Sequence, residues 1–131
     1  MAPRCAGSSD GWQFFMSRPP RAPLLRHARA RIARIREAIQ AVDDLCSGTL
    51  LRRMKLCGKP GCRCAQEPAA RHGPYYEWGH MKGGKLVHRM VSPRQAALLR
   101  AAIRNYRKVL RLLRAWEAET ERVIDAEDQR R

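Results

Sequence analysis

Acidic residues are scarce in this chain: 12 aspartates and glutamates stand against 27 lysines and arginines in 131 residues, a formal net charge of +15. Six of the twelve fall between Ala115 and Arg131, away from any candidate site, so paired carboxylates for general acid–base work are not on offer. Long apolar runs are missing as well. No stretch approaches the roughly eighteen apolar residues of a membrane span. The opening MAPRCAGSSDGWQFFMSRPP has no continuous apolar core of signal-peptide length. These absences predict a cytoplasmic protein with reduced thiols, which the odd count of five cysteines suits. No C-x-x-C pair is present to support a dithiol redox device.

What the chain has instead is arginine. Lysine supplies five of the 27 basic residues and arginine the other 22. The planar guanidinium fork suits phosphate and stacks on bases better than an ammonium does. So basic a chain points to a polyanion partner, DNA or RNA before an anionic membrane. A GC-rich genome also raises alanine and arginine together, and that reading stays open.

Residues 1–22 lack periodicity and hold glycine, serine and three of the eight prolines, which reads as a disordered leader ahead of one domain over 23–131. Leu25, Ala28, Ile32, Ile35, Ile39, Val42 and Cys46 then recur at alternating steps of three and four, a heptad seam that predicts a helix over 23–46. Ser47-Gly48 ends it. From Thr49 to Leu56 the period drops to two, with Leu50, Met54 and Leu56 on one face interrupted by Arg52: a short strand. Pro74–His80 and Lys85–Val91 flank a Gly83-Gly84 turn and read as a β-hairpin. Ser92-Pro93-Arg94-Gln95 is a helix start with a capping box. A long helix follows on Leu99, Ile103, Tyr106, Leu110, Leu113 and Trp116, with Ile124 near its end. It is basic from Arg94 to Arg114 and acidic beyond. The expected fold class is α+β: a long helix, a small three-stranded antiparallel sheet with a Cys-rich loop, and a long C-terminal helix, the two helices packing as an antiparallel coiled-coil-like pair or pairing between chains as a homodimer.

Cys57, Cys62, Cys64 and His72 form a C-x4-C-x-C-x7-H set at the centre of the chain. Zinc takes four ligands in a tetrahedron from thiolate and imidazole. Gly58, Pro60 and Gly61 permit the reversal that would bring these ligands together, and Lys59 and Arg63 would offset thiolate charge. The alternatives are reduced thiols in a turn, or a disulfide. His80 and His88 are rival ligands. Cys46 sits on the seam and reads as core, and Cys5 lies in the leader. A cysteine nucleophile with His72 as base would need a shaped pocket, and so small a chain offers little buried volume. The expectation is a non-catalytic protein with no small-molecule substrate.

Tyr75, Tyr76 and Trp78 share the hairpin with Lys82, Lys85 and Arg89, a mixture used for base stacking and phosphate pairing. Aromatics in strands also serve as core, and alternation places Tyr75 with Glu77 on one face and Tyr76 with Trp78 on the other. If acidic residues near the C-terminus neutralise the first helix, the free basic surface is the hairpin and the first half of the long helix. The candidate nucleic-acid-binding residues are therefore Lys82, Lys85, Arg89, Arg104, Arg107 and Lys108.

The run Cys57-Gly58-Lys59-Pro60-Gly61-Cys62-Arg63-Cys64, with His72-Gly73-Pro74-Tyr75-Tyr76 and Asn105-Tyr106-Arg107, resembles a small bacterial domain family of unknown function. The resemblance spans about residues 47–114 and a helix before them, and implies an occasional link with transposases and other mobile elements. Two functions compete: a basic nucleic-acid-binding module, for DNA more than RNA, with a structural zinc site, and a coiled-coil assembly or adaptor protein.

Overall fold

The computed structural model describes residues 20–128. Residues 1–19, which hold most of the expected leader, lie outside the described residues. Helix α1 (Arg21–Gln40) leads through a connecting strap to β1 (Thr49–Lys55). Two single 3₁₀ turns, Arg63–Ala65 and Pro68–Ala70, carry the chain to β2 (His72–Lys82). Strand β3 (Lys85–Val91) and helix α2 (Pro93–Asp128) complete the order. The sheet is antiparallel in the order β1-β2-β3. The α+β class, the three strands and the antiparallel helix pair are all as the sequence predicts.

The hairpin turn follows from Gly83 and Gly84, whose φ angles of 57° and 77° lie in the left-handed region that a tight two-residue turn demands. The start of α2 follows from its capping box. The Gln95 N–H donates to Ser92 Oγ at 3.1 Å, and the Ser92 N–H donates to Gln95 Oε1 at 2.9 Å. Both satisfy donors that a helix start would otherwise leave orphaned.

Helix α1 departs from expectation at both ends. It starts at Arg21, two residues early, and stops at Gln40 where the seam predicted a helix to 46. Val42, Asp43 and Asp44 are weak helix formers, and two carboxylates in a last turn oppose the negative end of the helix dipole. Tertiary bonds take the segment instead. The Cys46 N–H donates to Ala102 O at 3.3 Å, and Asn105 Nδ2 donates to Asp44 O at 2.9 Å. Cys46 still packs inward, but from an extended strap laid along α2.

Two clusters hold the chain together. Ala28 and Ile32 of α1 bury against Val123 of α2, with Leu25 and Trp116 packed around them. Val91, Ala96 and Leu99 bury against Cys46, Leu50, Tyr76 and Trp78. The 36-residue α2 is about 54 Å long and the 20-residue α1 about 30 Å, so α1 covers the C-terminal half of α2 and the sheet covers the N-terminal half. The predicted stripe on α2 shifts near its end. Ile124 is 60% exposed and Leu113 is 43% exposed, while Glu119, Val123 and Ala126 are buried. At 3.6 residues per turn Ile124 stays within about 20° of Leu99 around the helix, whereas Val123 lies about 120° away; α1 packs on a different side of α2 from the sheet, so the stripe that faces the sheet is left uncovered beyond it.

Gly48 immediately precedes β1 with φ +111°, and a Cβ there would run into the Gly79 carbonyl oxygen and lie 2.8 Å from Trp78 Nε1. That indole N–H donates to Ser47 O at 3.0 Å, so strap and sheet are locked at this point. Gly48→Ala is expected to destabilise the protein by about 2–4 kcal/mol through backbone strain and lost contact. The check is a lower urea midpoint at unchanged m-value; an unmoved midpoint would mean that the strap does not hold the sheet.

Candidate metal centre and basic surface

The open end of the sheet builds the cysteine cluster. Lys55 pairs with His72 across β1 and β2, so His72 is held at the first residue of β2 while Cys57 lies two residues past the end of β1. Gly58 and Gly61, at φ 69° and 78°, turn the intervening chain back, and the Cys62 N–H donates to Lys59 O at 3.3 Å. Cys64 then enters from the first 3₁₀ turn.

The four predicted ligand atoms converge. Cys57 Sγ and Cys64 Sγ lie 3.5 Å apart, Cys62 Sγ and His72 Nε2 3.4 Å apart, and all four within 4.8 Å of one another. A tetrahedral zinc with Zn–S bonds of about 2.3 Å sets its ligand atoms roughly 3.8 Å apart. The spacing therefore fits a zinc-sized cation, and Cys57, Cys62, Cys64 and His72 are the residues that would hold it. None of Cys46, Cys57, Cys62 and Cys64 is in a disulfide. The rival histidines are engaged elsewhere: His80 stacks on Trp78 with ring centroids 3.7 Å apart, and His88 Nδ1 lies 3.1 Å from Glu77 Oε1. Arg63 pairs with Glu67 at 2.9 Å and so does not serve only the thiols.

The electrostatics of the cluster suit a cation. A backbone hydrogen bond at Cys64, with the thiols of Cys64 and Cys57, lowers the pKa of Cys62. At Cys64 a backbone hydrogen bond at Cys57 pulls down, but the Cys62 thiol, burial, the Cys57 thiol and its charge outweigh it and push the pKa up. Crowded sulfurs thus resist a shared negative charge when alone. A dication inverts that balance and favours thiolate at every position. The loop also has little else to hold it: between residues 56 and 71 only Cys64 is buried.

The hairpin aromatics divide as alternation predicts. Tyr76 and Trp78 face α2 and pack into the core. Arg89 lies over the Trp78 ring at 5.5 Å, so Trp78 has both His80 and Arg89 against it. Tyr75 is on the open face, with Lys55 Nζ at 5.6 Å from its ring.

The predicted nucleic-acid residues fall in separate places. Lys82 and Lys85 pair across the hairpin end. Arg89 lines a cleft on the strap side of α2, with Asp44, Gln95 and Leu98. Arg104 and Arg107 line a different cleft, between α2 and β1, together with Arg52 and Arg100. Lys108 is exposed on α2 and lines neither. The sequence places Arg100 in the free basic surface of the long helix without naming it as a binding residue, and it does not assign Arg52 to that surface. The interruption of the apolar face at Arg52 was the available signal.

Carboxylates are spent elsewhere. Arg21 meets Glu127 at 2.8 Å, Arg31 meets Glu119 at 3.2 Å, and Arg122 meets the same Glu119 oxygen. Arg53 meets Glu77 at 3.2 Å on the outer face of the sheet. The half-exposed Arg21–Glu127 pair contributes only about 0–1 kcal/mol, whereas Glu119 is buried and its two arginines offset the cost of burying its charge. The acidic end of α2 does approach α1, as expected. Among the described residues no ion pair joins Asp43 or Asp44 to the basic half of α2.

Residues 25–101 match the family described as Domain of unknown function (DUF6788). The chain belongs to that family. The match runs from α1 through the sheet and the cysteine cluster into the first third of α2. No curated protein and no solved structure matches the chain. No helix among the described residues is long and apolar enough to cross a membrane.

Proposed function

We propose that this DUF6788 protein is a non-catalytic nucleic-acid-binding module of the cytoplasm, acting on DNA more than RNA, with its sheet pinned by a structural zinc at Cys57, Cys62, Cys64 and His72. The observation that carries this reading is the unmatched charge of α2. Arg94 to Arg114 adds seven basic residues and no acidic one, and none of the seven is ion-paired among the described residues. Phosphate contacts supply most of the affinity of such a surface and make it strongly salt-dependent. The occasional link of the resembling family with transposases belongs to the same reading, since such a host offers DNA as partner.

Reversal of Arg104 and Arg107 to glutamate is expected to weaken binding of a duplex oligonucleotide and to reduce the log–log salt slope by about one unit per lost phosphate contact. The same reversal at Arg29 and Arg34 on α1 should change less, because the acidic end of α2 lies beside that helix. Anisotropy titrations between ~50 and ~200 mM salt measure both. Equal losses at the two places would show diffuse attraction. An absence of binding at ~50 mM salt, together with a salt-insensitive oligomer on sizing, would favour the assembly or adaptor function instead.

A further inference from the structure

Arg52 is out of place for a strand residue that faces the core. It pairs with Tyr76 across β1 and β2, on the face where Leu50, Tyr76 and Trp78 pack toward α2. An apolar residue would continue that packing. Arg52 is instead exposed, at the side of a cleft of about 220 Å³ between β1 and α2. The other wall is α2 itself, which presents Arg100, Arg104 and Arg107 at steps of four and three and so along one side of the helix. Leu50, Ile103 and Tyr76 contribute apolar surface, and no carboxylate lines the cleft. None of the four guanidiniums has a hydrogen-bond acceptor or ion-pair partner among the described residues.

Four like charges gathered in one recess repel one another, and low-dielectric walls focus their field. An anion seated among them relieves that repulsion. Guanidinium forks match the tetrahedral oxygens of phosphate in bidentate fashion. We infer that the β1–α2 cleft is a phosphate site, gripping one phosphate group between Arg52 on the strand and Arg100, Arg104 and Arg107 on the helix. This inference rests on the nucleic-acid reading for the identity of the ligand and sharpens it. Affinity is concentrated in one cleft, and Arg52 and Arg100 belong to it, whereas Lys82 and Lys85 do not. A phosphate group can come from the backbone of a strand, from its phosphorylated end, or from free phosphate.

The test uses the full chain and the conservative variants Arg52→Gln and Arg100→Gln, one on each wall, with Arg34→Gln on α1 as control. Each cleft variant is expected to weaken binding of a 12-nucleotide strand by about tenfold, the worth of one charge-assisted hydrogen-bonding group, and to lower the salt slope by about one unit. Arg34→Gln should stay within about twofold. A preference of about tenfold for the 5′-phosphorylated strand over the 5′-hydroxyl strand would make a terminal phosphate the source; equal affinity would make it the backbone. Thermal melting with inorganic phosphate is the parallel measurement, since a ligand that binds only the folded chain raises the melting temperature. If the wild-type chain binds the strand but both cleft variants behave like Arg34→Gln, the cleft inference falls and the nucleic-acid reading stands. If no strand binds, yet inorganic phosphate raises melting in the wild type and not in Arg52→Gln, the cleft is a phosphate site and the nucleic-acid reading falls. If neither probe binds, both fall.

Discussion

Protein purified without chelators is expected to carry about one zinc ion per chain, and Cys64→Ser or Cys62→Ser to release it. The effect should be large because the ligands tie together the parts of the chain that have least else to hold them. Cys57 leaves β1, His72 opens β2, and Cys62 and Cys64 come from the turn between. In small structural sites the metal contributes about 10–16 kcal/mol of apparent binding energy at pH 7, and that energy is folding energy. Only part of it would appear here, since two apolar clusters lie outside the cysteine loop. Chelation should therefore disorder the β1–β2 end first and leave much of the α1–α2 helicity, with a drop in melting temperature that added zinc reverses. Acidification should release the ion as well, because protons compete for the thiolates and the imidazole. Metal analysis that finds no zinc, with melting indifferent to chelator, would leave the cluster as reduced thiols in a turn.

Ile32→Asp is expected to cost about 3–5 kcal/mol, enough to unfold a small domain of ordinary stability. Ile32 is 8% exposed and sits with Ala28 and Val123 in the cluster that joins the two helices. A carboxylate there would be a charge placed among apolar side chains. Ile35→Asp should cost less, because Ile35 is only half-buried and the charge can reach water. Circular dichroism during urea titration reads the difference, and sizing reports whether chains associate. Two variants indistinguishable from the wild type would mean that the seam is a surface feature and the helix pair is not what holds the chain.

The seams show how far a pattern reaches. Steps of three and four identify which side of each helix is apolar, and they correctly pick out Ala28, Ile32, Leu99 and Ile103 as inward positions. They do not say where a helix stops. Val42 and Cys46 keep the spacing, yet α1 ends at Gln40, and the segment after it bonds instead to the Ala102 carbonyl and the Asn105 side-chain amide. Nor does one stripe serve all 36 residues, because the sheet packs on one side of α2 and α1 on another, which leaves Ile124 exposed and Val123 and Ala126 buried. Asn105, conspicuous beside Tyr106 and Arg107 in the sequence, gains its role only through Asp44, 61 positions away.

The same division holds for the sites. Residue type and local turn chemistry determined the candidate ligand set. Cysteine and histidine are the residues zinc selects, and the glycines that fold Cys57, Cys62 and Cys64 together act within a few positions of chain, so Cys57, Cys62, Cys64 and His72 could be named from spacing alone. The capping box at Ser92 and Gln95 and the Gly83-Gly84 turn are local in the same sense. The arginine cleft is not local. Arg52 and Arg100 are 48 positions apart in number, on elements of different period, and they meet only because the sheet docks its inner face on the first half of α2 while α1 takes the second half. Charge composition alone raised the expectation of a polyanion partner. The tertiary structure decided which arginines share one recess, because ion pairing and docking depend on which distant carboxylates each guanidinium can reach.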